Sequence, residues 1–515
     1  MTNSNQIKFV PYLGGFVLET LTVGMYGESR NAIREYIQNG FDSIERAIND
    51  LKVLKPGEGL IQIIMDADDE TLIIRDNGAG LPTSNAVATL TSIGASAKDY
   101  KSNAGFRGIG RLAGIVFSKR VTFTTKARGE AEQTIVTFKA AEMREGMKPE
   151  NGSSISAEEL IRKCVEVSVT PANNRRDHFF EVKLEGFDNP PQECKDYKLL
   201  EQFVSQVAPV PYSDKFPYRA ALTAAEKECQ LPIEEVKITI QDGAHAPVEV
   251  RKVYEDEYRI KTGLIRLTGC KTYVSPDHNW WFWYGTKDES GAYTDPRVHG
   301  LRVRMKNIQI DGTDLVREIF KTLGPSFIRF QDWYVGEIFV SPSFLIPNAR
   351  RDGFEETKEW KRMRKALEAR IRELKNEAYS ISNQGQMSLD ALEARVEEKR
   401  QEIASLRQSR FKKVEKVITL SSEITKTQKA IARAAKGADL PTAASLQALG
   451  AELTDIQTEA IRKIGAAKAP SDLERIQQEA RDELLKELDT TFESALPPTC
   501  AVAVRQILRK QYGLK

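Results

Sequence analysis

The sequence predicts an α+β protein that ends in an α-helical region. Three observations carry this reading. Short apolar runs bounded by glycine, proline and acidic turns recur between residues 60 and 340. Amphipathic helical periods are set among them, which places helices on one face of a mixed or antiparallel sheet. Beyond Glu355 the strand signals stop, charge rises, and no proline occurs until Pro441.

The elements follow in order. Residues 24–51 read as a helix, because Ile33, Ile37, Phe41, Ile44 and Ile48 recur at three- and four-residue steps. Pro56-Gly57-Glu58-Gly59 breaks it. Leu60–Met65 and Thr71–Arg75 read as two strands joined by an acidic turn. A polar, Gly- and Ala-rich stretch runs from Asp76 to Gly110, followed by a helical start at Gly108–Phe117 and a strand at Arg120–Thr125. Further strands end in Phe179–Leu184. Residues 186–230 are punctuated by prolines and read as a link. A second α+β unit follows, with strands at Glu235–Ile240, Leu264–Leu267, Trp280–Tyr284, Leu301–Lys306 and Tyr334–Val340. In the tail, Leu389, Leu392, Val396, Ile403 and Leu406, then Val417, Leu420, Ile424 and Ile431, approximate a heptad seam that Lys399 and Arg410 interrupt. A coiled-coil arm and a packed bundle both satisfy that pattern. Three more helical stretches are expected after Pro441.

Composition bounds the function. At roughly 150 residues per domain, 515 residues suggest about three domains. The aromatic residues agree: all five Trp lie between Trp280 and Trp360, while residues 380–515 hold only Phe411, Phe492 and Tyr512. The expected boundaries are 1–215, 216–378 and 379–515. Lys and Arg total 75 against 73 Asp and Glu, so a bulk polycation is excluded and any nucleic-acid contact needs a local patch. The five cysteines form no CxxC pair, which argues against a structural zinc site. No apolar run is long enough to span a membrane. The N-terminus has no basic-then-apolar signal pattern, so a cytoplasmic location is expected.

Three constellations carry chemistry. In Glu35-Tyr36-Ile37-Gln38-Asn39-Gly40-Phe41-Asp42, steps of four and three put Glu35, Asn39 and Asp42 on one helix face. A carboxylate and a carboxamide so stacked can polarise a water and hold Mg²⁺, which takes few protein oxygens; a solvated polar stripe is the plainer account. In Ile73-Ile74-Arg75-Asp76-Asn77-Gly78-Ala79-Gly80, a strand delivers Asp76, and Gly78 and Gly80 leave it uncrowded to accept from an exocyclic amine. A tight turn explains one such copy equally well. In Gly105-Phe106-Arg107-Gly108-Ile109-Gly110-Arg111, bare backbone N–H groups precede a helical start, a setting that suits phosphates. No Gly-Lys-Ser/Thr follows, so it is not a Walker A loop.

Taken in this order, the three motifs resemble the N, G1 and G2 boxes of the GHKL ATPases: gyrase, the ninety-kilodalton heat-shock chaperone, histidine kinases, and MutL and its MORC-type relatives. The resemblance implies a Bergerat-type α/β sandwich at 1–215, a middle or transducer domain at 216–378 and a helical C-terminal domain at 379–515. It covers residues 25–185 well and 230–355 loosely; the tail departs from the chaperone's dimerisation domain. It implies Glu35 as general base, Asn39 as the Mg²⁺ ligand with Asp42 beside it, and Asp76 reading adenine with Gly80 packing against the base and Gly78 in the same nucleotide-binding turn. Gly105, Phe106, Arg107, Gly108, Ile109 and Gly110 would wrap the phosphates. Residues 82–104 would form the lid, with Ser96 and Lys98 reaching nucleotide. A fourth feature, Asn348-Ala349-Arg350-Arg351-Asp352, is similar to the chaperone loop whose Arg crosses to the γ-phosphate, which makes Arg351 the first candidate and Arg350 the second.

The implied function is a Mg²⁺-dependent, slow ATPase working as a homodimeric clamp that remodels a protein partner or client. A DNA clamp, or an ATP-sensing subunit of a prokaryotic antiviral defence system, is the alternative. The Trp280-Trp281-Phe282-Trp283-Tyr284 run reads as a buried strand in preference to a base-stacking platform. Arg410-Phe411-Lys412-Lys413 reads as a solvated helix face.

Overall fold

The computed structural model describes residues 12–22, 24, 28–94, 104–105, 108–148, 155–261, 263–287, 291–384, 389–409, 411, 414–435 and 440–467. The chain divides into two compact units, Met1–Tyr379 and Ser380–Lys515.

The first unit opens with α1 (Phe16–Leu21) and α2 (Asn31–Asn49), then the hairpin β1 (Leu60–Asp66) and β2 (Thr71–Asp76). After α3 (Thr83–Thr91) come β3 (Ser118–Lys126), β4 (Glu132–Phe138), α4 (Ala140–Met147), α5 (Ala157–Cys164), β5 (Val165–Pro171) and β6 (Phe179–Phe187). With β7 (Lys237–Asp242) and β8 (Val248–Glu249) these strands form one eight-stranded sheet, ordered β5-β4-β3-β6-β2-β1-β7-β8. β1 and β2 each alternate between buried and half-buried residues, as a sheet with one covered face requires. Ile61, Ile63, Leu72 and Ile74 pack in one core with Ile33, Ile37, Phe41 and Ile44 of α2. This is the α+β layer the sequence predicts.

Two expectations are corrected here. The strand expected to open the second α+β unit lies in the first sheet: β7 pairs parallel with β1 and places Ile238 and Ile240 in the core beneath α2. A parallel neighbour needs a long crossover, and the stretch expected to be a link helps supply it as two helices, α6 (Tyr197–Val207) and α7 (Arg219–Cys229). Pro190, Pro191, Pro209, Pro211 and Pro217 all fall outside these helices. The Asp196 carboxylate caps α6 by accepting from the Lys198 and Leu199 N–H groups.

The next strands are the hairpin β9 (Glu257–Ile260) and β10 (Gly263–Arg266), then β11 (Gly269–Val274), β12 (Trp280–Thr286), β13 (Gly300–Met305), β14 (Ile308–Asp311) and β15 (Val335–Val340). The last five form a sheet ordered β11-β12-β15-β13-β14, in which β13 and β15 run parallel. Both faces are covered. Trp280 and Phe282 pack with α8 (Asp314–Thr322) and α9 (Lys358–Gln384), while Trp281 and Trp283 enter a separate core with Leu222 and Ala225 of α7. The indole N–H groups of Trp281 and Trp283 donate to the Leu231 carbonyl and the Tyr212 hydroxyl, each at 3.0 Å. The aromatic run is core.

The second unit, in its described part, is a three-helix bundle of α10 (Leu389–Gln408), α11 (Val414–Ala435) and α12 (Leu440–Ala467). Arg400 pairs with Glu452 and Arg407 with Glu459, so a step of one heptad on α10 matches one on α12 and these helices run parallel. α11 runs opposite to them. Lys399, which interrupts the seam, is buried and pairs with Glu402 at 3.0 Å and with Glu423. Pro441 sits in the first turn of α12, where its missing N–H costs nothing, so α12 continues unbroken to Ala467. Arg410, Lys412 and Lys413 lie outside the described residues, and Phe411 is buried.

Candidate functional site

The site is built on α2. One face of the helix carries Ile33, Ile37, Phe41 and Ile44 into the core. The opposite face, at steps of four and three, presents Glu35, Asn39, Asp42, Arg46 and Asn49 to a cavity of about 1330 Å³. Ala79, Gly80 and Leu81 form another wall, Gly105 and Gly108 to Arg111 a third, and Phe123 and Phe180 add aromatic surface. Lys306 and Arg351 reach the same cavity from the second half of the unit.

Each wall has a local cause. Asp76 ends β2 nearly fully buried and accepts from the Gly78 N–H at 2.9 Å, which tightens the turn after the strand. Gly80 has φ +63°, and a Cβ there would overlap the Lys126 carbonyl, so only glycine fits. The Ala79 N–H donates to the Ser43 carbonyl at 3.0 Å, which fixes this turn against α2. Asp42 accepts from the N–H groups of Ala104 at 2.7 Å and Gly105 at 2.9 Å. It therefore anchors the entrance of the glycine loop as well as lining the cavity. Gly110 passes so close to α2 that a Cβ would stand 2.6 Å from Glu35 Oε2.

The loop leads into a seven-residue helix of the 3₁₀ type, Gly110–Val116, within the helical start read from the sequence at Gly108–Phe117. A single short 3₁₀ segment carries little macrodipole. Tyr36 pins this segment to α2: its hydroxyl accepts from the Gly114 N–H at 2.8 Å and donates to the Arg111 carbonyl at 3.1 Å. Burial pushes the Tyr36 hydroxyl well above its ordinary value, so it stays a donor. Burial pulls the Arg111 guanidinium down; an anion in the cavity would favour its charge.

Arg351 completes the site. It sits at φ +58°, a conformation that costs a non-glycine residue about 1 kcal/mol. The loop that imposes it is braced by Asn348, whose amide donates to Asp352 at 2.6 Å and whose carbonyl accepts from the Arg351 N–H at 3.2 Å. The Arg351 guanidinium donates to the Ala104 carbonyl, and its Nε stands 3.6 Å from Glu35 Oε1. Arg34 stands at the same 3.6 Å from that oxygen and donates to the Arg350 carbonyl at 3.2 Å. The Arg350 residue itself is exposed.

Of the residues expected from sequence, Glu35, Asn39, Asp42, Gly80, Gly105, Gly108, Ile109, Gly110 and Arg351 line one cavity. Asp76 and Gly78 stand next to the Ala79–Leu81 wall without lining it, and Arg350 is not among the lining residues described. Ser96, Lys98, Phe106 and Arg107 lie outside the described residues. Lys306 was missed. The strand expected at Leu301–Lys306 ran one residue too far; Lys306-Asn307 between two apolar runs is a two-residue hairpin turn, and the asparagine was the signal. Gln38 was also passed over: it is fully buried beside Gly105, and neither amide atom has a hydrogen-bond partner among the described residues.

The family described as histidine kinase-, DNA gyrase B-, and HSP90-like ATPase matches residues 27–166, which hold α2, β2 and the glycine loop. Two curated relatives match in part. A chaperone protein HtpG of Paramagnetospirillum magneticum is 30% identical over 135 residues, 23% of this chain and 22% of the relative. A chaperone protein HtpG of Halalkalibacterium halodurans is 27% identical over 129 residues, 22% of this chain and 21% of the relative. The chain thus spans about a fifth of the length of each.

Proposed function

From a chain that carries a GHKL-type ATPase domain over residues 27–166, we propose a Mg²⁺-dependent ATP hydrolase. The observation that carries this reading is the convergence of Glu35, Asn39, the glycine loop and Arg351 on one cavity. ATP lies along α2, with its base toward the Asp76–Gly80 turn and its phosphates between the Gly105–Gly110 loop and Arg351. Glu35 orients a water and takes its proton. Arg351, within reach of the same carboxylate, faces the charge that develops on the transferring phosphoryl group. Arg111 adds a second, desolvated cation.

The residues fit magnesium in one way. Asn39 offers a hard oxygen, and among the described residues no group of three His, Cys, Asp or Glu side chains is placed to hold a metal. That suits an ion held chiefly by phosphate oxygens and water. When bound, Mg²⁺ supplies neutralisation of the phosphate charge; Asn39 orients it.

The relatives are chaperones by name, and we infer a homodimeric, nucleotide-gated clamp that acts on a protein client in the cytoplasm. The test is ATP hydrolysis by the full chain, with and without Mg²⁺, an unfolded protein or duplex DNA. Slow Mg²⁺-dependent turnover, raised by the unfolded protein and lost with ATP binding in Asp76→Asn, is the expected result. Parent-level turnover by Asp76→Asn overturns the site assignment. Stimulation by duplex DNA alone replaces the protein client with a DNA clamp.

A further inference from the structure

A second cluster of charge lies in the first unit, wholly inside it. The side chains of Lys252 and Glu337 are fully buried, and Arg304 is nearly so. Lys252 Nζ donates to Glu337 Oε2 at 2.8 Å and Oε1 at 3.1 Å. Arg304 Nε donates to Glu337 Oε1, and the Tyr212 hydroxyl donates to Glu337 Oε2. Two cations and a phenol thus saturate one carboxylate. Well-packed apolar side chains often replace such a buried charge cluster without loss of stability, so stability is weak grounds for keeping it.

The remaining bonds of its two cations go to Asn307 or to backbone, while the Tyr212 hydroxyl also accepts from the Trp283 indole. Lys252 Nζ donates to Asn307 Oδ1 at 2.7 Å, Arg304 Nη1 to the Asn307 carbonyl at 2.9 Å, and Arg304 Nη2 to the Gln206 carbonyl at 2.6 Å. The Asn307 amide donates to the Glu234 carbonyl at 2.7 Å. Asn307 and Lys306 are the two central residues of the β13–β14 turn, with φ +56° and +51°. Both positions are left-handed, as a tight hairpin turn demands; asparagine accepts this and lysine resists it. One turn residue is thus gripped by the cluster, and its neighbour lines the nucleotide cavity. The Lys306 ammonium stands 3.6 Å from Glu234 Oε2 and 5.9 Å from the Phe41 ring. Glu337 belongs to β15, the parallel neighbour of β13, and β15 leads on to the Arg351 loop. One buried carboxylate therefore ties together the strands that carry both cations.

We propose that the Lys252–Glu337–Arg304 cluster is a positioning device that acts through Asn307 to hold Lys306 against the phosphate chain of the bound nucleotide. Lys306 supplies the contact; Asn307 and Lys252 are positioning residues. The inference rests on the nucleotide reading above.

The test is a double-mutant cycle on the full chain, with Mg-ATP affinity from titration calorimetry and kcat and KM from hydrolysis. Lys306→Gln removes the cation. Asn307→Gly keeps the turn, because glycine adopts a left-handed φ freely, and removes only the side-chain grip. Lys306→Gln is expected to weaken Mg-ATP binding roughly tenfold or more, the size of a charge-assisted contact, and to raise KM more than it lowers kcat. Asn307→Gly is expected to weaken binding several-fold in the parent and less than about twofold in the Lys306→Gln background. Lys252→Met, which leaves Glu337 paired one-to-one with Arg304, is expected to repeat the Asn307→Gly pattern and serves if that variant does not fold. Equal losses in both backgrounds, or none in the parent, overturn the positioning role. A parent that binds no Mg-ATP overturns the nucleotide reading itself; a parent that binds it as tightly as Lys306→Gln does overturns this inference alone.

Discussion

Glu337 and Glu35 are both buried glutamates flanked by two cations, and they differ in the gap between. Glu337 meets Lys252 and Arg304 at hydrogen-bond contact and is fully enclosed. Glu35 faces Arg34 and Arg351 across 3.6 Å and opens on the cavity. The first carboxylate has its lone pairs filled by the protein. The second stands at ion-pair distance from two guanidinium groups and keeps an edge toward the cavity, where a water or a phosphate oxygen can approach it. The same residue type in the same kind of company is scaffold in one place and candidate chemistry in the other.

The largest expected effect breaks the closed member of the pair. Burial alone would raise the Glu337 carboxyl; Arg304 and Lys252 outweigh it and bring it down to about 2. Glu337→Gln strands two buried cations and is expected to cost about 3–5 kcal/mol. Denaturant unfolding followed by Trp emission reads it cleanly, since every Trp lies in the first unit. A loss under about 1 kcal/mol would mean that the two cations are not stranded by the change.

Opening the other member costs rate. Arg351→Met is expected to slow single-turnover hydrolysis roughly 100-fold or more, with a much smaller change in ATP affinity. A loss of affinity with the saturating rate unchanged would make Arg351 a binding residue only.

A smaller effect is a pH dependence. Burial lowers the Lys252 ammonium, Arg304 lowers it further and Glu337 restores part, leaving it at about 7. The folded value is below the unfolded one. Between about pH 7 and 10 the unfolded chain therefore binds the extra proton, and stability rises with pH by up to about 1 kcal/mol per unit. Lys287, lowered by burial to about 7, acts in the same direction. Lys252→Met is expected to flatten the slope and leave the Lys287 share; an unchanged slope places the titration elsewhere.

The smallest effect marks the far end of the comparison. Arg400 and Glu452 form a close pair on the solvent side of the bundle. Water screens such pairs, so Arg400→Ala is expected to leave the thermal melting of the helices unchanged within error, at low and high salt alike. A clear fall in the melting temperature would make that pair structural.

Much of this was legible in the sequence. The apolar steps from Ile33 to Ile44 announced α2, and the interleaved polar steps from Glu35 to Asp42 announced the face that lines the cavity, because both follow from one helical period. The apolar runs at Leu60–Met65 and Thr71–Arg75, on either side of an acidic turn, announced β1 and β2 with Asp76 at the strand end. What was not legible was long-range. Nothing local distinguishes Ile238 and Ile240 as partners of β1 from members of a second sheet, since a parallel pairing leaves no turn to read. Nor does the sequence near Lys252 or Glu337 show that the two meet, 85 residues apart along the chain. Lys399 looked like a flaw in the heptad seam because its partner Glu423 lies on the next helix.

Glu35 is proposed here as the base of an ATP hydrolase, and on that role the rest of the site depends. It is tested most directly by single-turnover hydrolysis of Mg-ATP by Glu35→Gln beside the parent, with affinity measured on the same samples. The expected result is near-parent affinity with hydrolysis reduced by roughly 10²–10⁴-fold, the contribution of a positioned general base. Hydrolysis by Glu35→Gln at the parent rate would contradict it.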